Sequence, residues 1–147
     1  MTSRSPESTE PMPGSIRLTR ILVWVQATGT LAWSMLEVGT IVRIQGLSEA
    51  ALKDEFNLAS HADVPYGAAW TQAIVLAVFG LVLGIAAVKF PGRSRRVRAI
   101  SLAAEAPLIL LGVLNIPALN CVLALGVAGF IAFVMLLRPD SRDWFDE

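Results

Sequence analysis

Two carboxyl side chains, Glu37 and Glu105, lie inside long apolar stretches of the sequence. An ionisable residue at the centre of a membrane-spanning helix costs about 2.5–3.5 kcal/mol on insertion scales, so each of them needs a partner or a function. One hypothesis is that they bind a proton, a cation or a polar headgroup. The alternative is that each is a protonated or hydrogen-bonded carboxyl group that joins neighbouring helices.

Helical spacing and depth predict the partners of these carboxyl groups. Rise per residue puts Gln72 at about the depth of Glu37. The same arithmetic puts Gln26 at about the depth of Glu105, and Ser101 lies one turn before Glu105. One stripe of the first helix carries Gln26, Thr30, Trp33 and Glu37. The predicted intramembrane polar site consists of Gln26, Glu37, Gln72, Ser101 and Glu105.

Long gaps between charged residues predict the helices that hold this site. The gaps cover residues 21–42, 64–88 and 99–137, and the two glutamates are the only charges inside them. A bilayer core about 30 Å thick needs roughly 20 apolar helical residues, so the first two gaps fit one crossing each. The third would be about 58 Å long as a single helix. It must therefore fold back, and Pro117 between two asparagines predicts the turn.

The sequence thus predicts an all-α membrane protein whose four transmembrane helices form an up-down bundle. The predicted parts are a disordered tail at 1–15, a transmembrane domain at 16–138 with helices at about 19–43, 65–89, 97–115 and 119–138, an outer loop at 46–64, a basic inner loop at 89–98 and an interfacial tail at 139–147. In that last tail, Trp144 and Phe145 are expected to lie on the headgroup layer, with a partner contact as the alternative.

Basic residues predict the orientation. Of the twelve Lys and Arg residues, only Arg43 and Lys53 lie on the side of the outer loop. Because basic loops are retained in the cytoplasm, both termini are predicted to be cytoplasmic. The residues expected to set the topology in the inner loop are Arg93, Arg95, Arg96 and Arg98. Twelve acidic side chains balance the twelve basic ones, so charge indicates no nucleic-acid partner.

Small residues predict where the helices pack. The second helix carries a seam of small residues spaced three and four apart, which lets backbones approach closely. Its members are Ala73, Ala77, Gly80, Gly84 and Ala87. A second seam is predicted on the fourth helix, over Ala124, Ala128 and Ala132 with Gly126 and Gly129 nearby. In the third helix, Pro107 predicts a kink and a small polar cavity beside Glu105.

The remaining polar residues offer little chemistry. Ser48 is expected to cap a short helix over residues 49–56. His61 and Asp63 could be metal ligands or an acid–base pair, but a solvated loop is the favoured explanation for two such residues. Cys121 is the only cysteine, which excludes an internal disulfide. The sequence contains no nucleophile elbow, phosphate-binding loop or zinc-protease motif, and no cofactor or metal is expected.

Residues 136–145, Leu-Leu-Arg-Pro-Asp-Ser-Arg-Asp-Trp-Phe, resemble the endings of small uncharacterised bacterial four-helix membrane proteins. The resemblance implies no particular activity. Short loops, seams of small residues and the absence of catalytic motifs predict a non-enzymatic accessory or assembly subunit. It is expected to be a multi-pass protein of a bacterial plasma membrane. Its expected partners are the lipid bilayer and either itself or a larger membrane protein. The alternative is a small transporter, or an ion- or lipid-binding protein, that uses Glu37 and Glu105.

Overall fold

A computed structural model of the chain describes residues 11–118 and 120–146, which form helices joined by short turns. No strand occurs within these two ranges, and the predicted all-α class is confirmed. The helices are α1 (Gly14–Gln45), α2 (Glu49–Phe56), α3 (Tyr66–Lys89), α4 (Arg95–Leu114), α5 (Cys121–Leu137) and α6 (Pro139–Asp146). Turns of 3-10 helix at His61–Asp63, Phe90–Gly92 and Ile116–Ala118 precede α3, α4 and α5.

Helix α1 begins at Gly14, five residues before the predicted start at residue 19. Residues 14 and 15 of the predicted disordered tail are therefore helical, whereas residues 1–10 lie outside the described part of the chain. Ile16 is completely buried in the core, so tertiary packing holds the first turn. The polar composition of the tail did not predict this contact. Helices in proteins are stabilised mainly by packing of their apolar face, which composition alone does not show.

The short helix α2 has the predicted cap. The Ser48 hydroxyl accepts a hydrogen bond from the backbone amide of Ala51 at 3.3 Å, and Asn57 ends the helix with a positive φ of 55°. Asparagine tolerates this left-handed conformation at a helix end better than most residues. Leu52 is fully buried, whereas Phe56 is exposed. One side chain of α2 thus anchors the helix against the rest of the molecule.

The four long helices pack in a closed ring, in which α1 and α4 each lie along both α3 and α5. Glycines set the close approaches. A Cβ atom on Gly80 of α3 would lie 2.5 Å from the Thr30 hydroxyl of α1. A Cβ atom on Gly126 of α5 would lie 2.6 Å from the Cα atom of Gly112 of α4. Because the second pair joins two backbones, no side-chain rotation could make room there.

The small-residue seam of α3 packs within the chain, against α1. Gly80 faces Thr30, and a Cβ atom on Gly84 would contact the Cβ atom of Ala27 at 3.8 Å. The Ser34 hydroxyl donates to the carbonyl of Ala73 at 2.8 Å. The other predicted members are half-buried Ala77 and buried Ala87.

The predicted seam of α5 is wrong in one respect. Gly126, Gly129 and Ala132 are buried, whereas Ala124 is exposed. The buried residues Gly126, Gly129 and Ala132 follow one another at intervals of three and lie on the buried face of α5. The alanines at intervals of four, starting with Ala124, do not all lie on that face.

Three helices, α1, α3 and α4, are long and apolar enough to cross a membrane. Helix α5 has 17 residues and meets that test only together with α6, from which it is bent by 66°. By length and composition the chain therefore has three or four candidate spans. Their outward faces carry many exposed large apolar side chains, among them Leu81, Ile85 and Val88. Contiguous apolar surface of this kind is typical of a membrane or protein interface.

The C-terminal segment corrects a prediction from the sequence. Residues 139–146 form α6, and its Trp144 and Phe145 are buried instead of lying on the headgroup layer. The Phe145 ring packs edge-on against Phe90, with 5.2 Å between ring centroids. The Trp144 indole nitrogen donates to the Phe90 carbonyl at 3.4 Å. Pro139 starts the new helix, a position proline favours because its missing amide hydrogen has no partner there anyway.

Candidate functional site

The first polar cluster is a buried pair that joins two helices. The side-chain amide nitrogen of Gln26 on α1 donates to Glu105 Oε2 on α4 at 2.7 Å. The same nitrogen lies 3.4 Å from the carbonyl oxygen of Leu125 on α5. Both polar side chains have no exposed surface. The amide therefore links three of the four long helices at one level.

Gly129 on α5 makes room for this pair. A Cβ atom at this position would lie 2.6 Å from the Gln26 amide nitrogen and 2.7 Å from Glu105 Oε2. On α4, the apolar residues Ala104 and Leu108 near Glu105 in the sequence are also buried. The pair is thus enclosed by apolar groups and by a glycine, in a setting where an unpaired polar atom is costly.

Two oxygen atoms of the pair, Gln26 Oε1 and Glu105 Oε1, are buried and have no hydrogen-bond partner among the described residues. An amide oxygen and an ionised carboxylate only accept hydrogen bonds, so neither can satisfy the other. A proton on the carboxyl group would turn it into a donor. Both oxygens are buried and have almost no surface that water could reach.

The second polar cluster lies about 16 Å further along α1, eleven residues from Gln26. Glu37 Oε1 accepts hydrogen bonds from the Trp33 indole at 2.9 Å and from the Gln72 amide of α3. Gln72 Oε1 lies 3.4 Å from the Asn115 amide at the end of α4. Glu37 Oε2 is buried without a partner among the described residues.

Two asparagines that the sequence analysis assigned only to a turn extend this second cluster. The Asn120 amide donates to Asn115 Oδ1 at 2.9 Å. Asn120 Oδ1 in turn accepts the backbone amide of Val122 at 3.0 Å and caps α5. The cluster therefore includes groups from α1, α3, α4 and the start of α5. The signal in the sequence was a pair of amides on either side of Pro117, beside a level already holding a carboxyl and an amide.

Ser101 is not part of the polar site in the way predicted. It is buried, but its hydroxyl donates to the carbonyl of Val97 in its own helix at 2.9 Å. Thr30 behaves in the same way, with its hydroxyl on the carbonyl of Gln26 at 2.9 Å. Short hydroxyl side chains in a helix readily bond the carbonyl four residues earlier. A buried serine near a carboxyl group therefore predicts a shared level but not a hydrogen bond.

Three of the arginines in residues 93–98 contact α5 or α6. Arg98 donates to the carbonyl of Leu136 at 2.8 Å, and Arg95 forms an ion pair with Asp146 at 2.9 Å. The Arg93 guanidinium lies 4.0 Å from the centroid of the Trp144 ring. Arg96 is exposed.

Arg98 and Arg20 both bond the last turn of a neighbouring helix. Arg20 on α1 donates to the Ala87 carbonyl of α3 at 3.0 Å, as Arg98 does to Leu136 of α5. Carbonyls at a helix end lack intrahelical partners and carry the negative end of the dipole. These arginines therefore stabilise helix ends, a role that positive-inside counting does not reveal.

The loop before α3 holds His61 in place with hydrogen bonds. One ring nitrogen lies 2.8 Å from the Tyr66 hydroxyl, and the other lies 2.9 Å from the Leu47 carbonyl. Asp63 accepts the Ser60 backbone amide at 3.0 Å. Within residues 11–118 and 120–146, no group of three or more His, Cys, Asp or Glu side chains could hold a metal ion. His61 and Asp63 thus have separate hydrogen-bond partners and do not bond each other in the contacts described for this loop.

Comparison with protein-family models, with curated proteins and with solved structures gave no match.

Proposed function

We propose that the chain is a four-span membrane protein, with α1, α3, α4 and α5 crossing as an up-down bundle and both termini in the cytoplasm. The ring of helix contacts supports this arrangement. Helix α5 is about 25 Å long, which suits a span with little tilt. The bent helix α6 would then lie at the inner surface. Ten of the twelve basic residues fall on that side in this arrangement. A bacterial plasma membrane is the compartment we propose.

Within this frame, we propose that the protein is a non-enzymatic accessory or assembly subunit that packs against itself or a larger membrane protein. The observation that carries the proposal is the closed Gln26–Glu105 pair. Gly129 closes one side of it, and its free oxygens have almost no surface that water could reach. A polar residue that serves a substrate needs access to that substrate. The pair instead suits a neutral carboxyl that joins helices, because a proton adds almost no volume.

The unpartnered oxygens favour a second candidate, a small transporter or an ion-binding protein. Three buried oxygens, on Gln26, Glu37 and Glu105, lack partners in the described part of the chain. Oxygen ligands of this kind suit a proton or a hard cation. Such a function requires that the helices separate during a cycle, since the pair is buried in the static arrangement.

Glu105→Gln separates the two candidates. The variant places two amides opposite each other, and each can donate to the other's oxygen, so the pair stays joined without an ionisable group. We expect its free energy of unfolding to stay within about 1 kcal/mol of wild type. We also expect liposomes containing wild-type protein to show no more proton or sodium flux than protein-free liposomes.

The flux assay uses a pH-sensitive dye inside the vesicles, with Glu49→Gln on the exposed helix α2 as the matched charge control. Wild-type flux that persists in Glu49→Gln and disappears in Glu105→Gln would refute the accessory role and establish the second candidate. In the absence of flux, chemical crosslinking in mild detergent followed by mass spectrometry is expected to recover crosslinked copies of the chain or one larger membrane protein.

A further inference from the structure

A groove between α3 and α4 opens at the end of these helices that carries the basic turn. Its mouth has a volume of about 420 Å³ and is lined by Lys89, Ser94 and Arg96 together with apolar residues. A deeper part of about 240 Å³ continues along the two helices. Lys89, Val97 and Ile100 line both parts, so mouth and depth form one continuous groove.

The mouth is positively charged. Lys89 and Arg96 are exposed, and neither forms an ion pair with any residue in 11–118 or 120–146. The mouth also includes the start of α4, where Ser94 makes no side-chain cap. The first amides of a helix have no intrahelical acceptor and carry the positive end of its dipole. Two cations and open helix amides together favour a phosphate group.

The deeper part is apolar. Apart from Lys89, it is lined by Val82, Ile85, Ala86, Val97 and Ile100. Ile85 and Ile100 are 57% and 49% exposed, so their side chains present a surface to whatever lies outside the helices. A small anion without an acyl chain would not contact the apolar part of the groove. An uncharged acyl chain would not pair with Lys89 and Arg96.

We propose that this groove binds an anionic phospholipid, with its phosphate against Lys89, Arg96 and the start of α4 and one acyl chain along Ile85 and Ile100. Basic pockets between membrane helices on the cytoplasmic side recognise headgroups in this way. The inference rests on the proposed topology, which places the mouth at the inner membrane surface. It does not depend on whether the chain is an accessory subunit or a transporter.

The test measures lipid retained by the full chain. Protein is exchanged into nanodiscs of equal parts phosphatidylglycerol and phosphatidylcholine, released in mild detergent, and its bound lipid is counted by native mass spectrometry. We expect retained phosphatidylglycerol to exceed phosphatidylcholine, and the double variant Lys89→Gln/Arg96→Gln to retain about tenfold less of it. The matched control is Arg17→Gln/Arg142→Gln, which removes two exposed cations elsewhere on the same proposed side. It should stay within about twofold of wild type.

A second arm tests the apolar part without changing charge. Ile100→Trp fills the groove and should also lower retention, whereas Ile131→Trp on α5, at a position 46% exposed, should not. Equal loss in both double variants would show a general charge effect and overturn the proposal. Equal retention of the two lipids, or displacement of bound lipid by free glycerol phosphate, would overturn it as well. In each of these cases, cysteine labelling can still show that loops 46–64 and 89–98 lie on opposite sides of the membrane. Failure of the lipid proposal is therefore distinguishable from failure of the proposed topology.

Discussion

Gly126→Ala should lower the free energy of unfolding by about 2 kcal/mol, although alanine is the better helix former. The added Cβ atom would lie 2.6 Å from Gly112 Cα, 3.3 Å from Gly112 N and 3.4 Å from the Leu108 carbonyl oxygen. All three are backbone atoms, so α4 and α5 must move apart. The side-chain packing around the point where the two helices cross would then be lost. Unfolding in mixed micelles titrated with a denaturing detergent measures the change.

Gly39→Ala is the control for this prediction. Gly39 lies in α1, and a Cβ atom there would meet no atom within 4 Å. We expect this substitution to be neutral or to stabilise by up to about 1 kcal/mol through helix propensity. If Gly126→Ala proved as stable as Gly39→Ala, the close crossing of α4 and α5 would be wrong.

Glu105→Ala is expected to have a comparable effect for a different reason. It removes the 2.7 Å acceptor of the Gln26 amide, which keeps only the Leu125 carbonyl at 3.4 Å, and it leaves a buried gap beside Gly129. An unsatisfied buried polar group costs about 1–3 kcal/mol, and the gap adds to that. We expect the free energy of unfolding to fall by about 2–4 kcal/mol in total, measured in the same micelle titration.

Two variants frame this second prediction. Glu49→Ala removes an exposed carboxyl from α2 and should change the free energy of unfolding by less than about 0.5 kcal/mol. Gln26→Ala combined with Glu105→Ala should cost less than the two single substitutions summed, because the partners share one hydrogen bond. Strict additivity would show that the pair is not coupled in the folded protein.

The positions of the long helices could be predicted from the sequence because charge is so costly in an apolar environment. Three gaps between charges, the last divided by the turn near Pro117, predict the four long helices, and rise per residue pairs Gln26 with Glu105. These inferences use one dimension only, distance along a helix. The bounds of the long helices differ from the predicted ones by at most five residues, and the largest difference is at the start of α1, where Ile16 is buried in the core.

Predictions of which side chains contact each other were wrong in two places. Composition at residues 139–147 predicts that Trp144 and Phe145 lie on the headgroup layer, but α6 turns by 66° and buries both rings against the Phe90 region. Whether an aromatic side chain meets lipid or protein depends on the direction of the chain after Pro139, which the sequence pattern does not fix. In the same way, Ser101 lies at the predicted level but bonds its own helix.

The candidate site was predictable as a set of levels but not as a set of bonds. Glu37 and Gln72 share a level as predicted, whereas Asn115 and Asn120 complete it from a segment whose turn chemistry explained them already. Gly129 was noted for packing, yet its role is to leave space for the Gln26–Glu105 pair. The reason for a glycine at a given position becomes clear only when the atoms that face it in the structure are known.

The most direct test of the account is the side of the membrane on which its loops lie. In a Cys121→Ser background, cysteines are introduced singly at the exposed positions Asp54 and Gly92 and labelled in bacterial spheroplasts with a membrane-impermeant maleimide. We expect Asp54→Cys to be labelled in intact spheroplasts and Gly92→Cys to be labelled only after permeabilisation. Labelling of both positions from the same side would contradict the crossing of α3 and, with it, the proposed four-span arrangement.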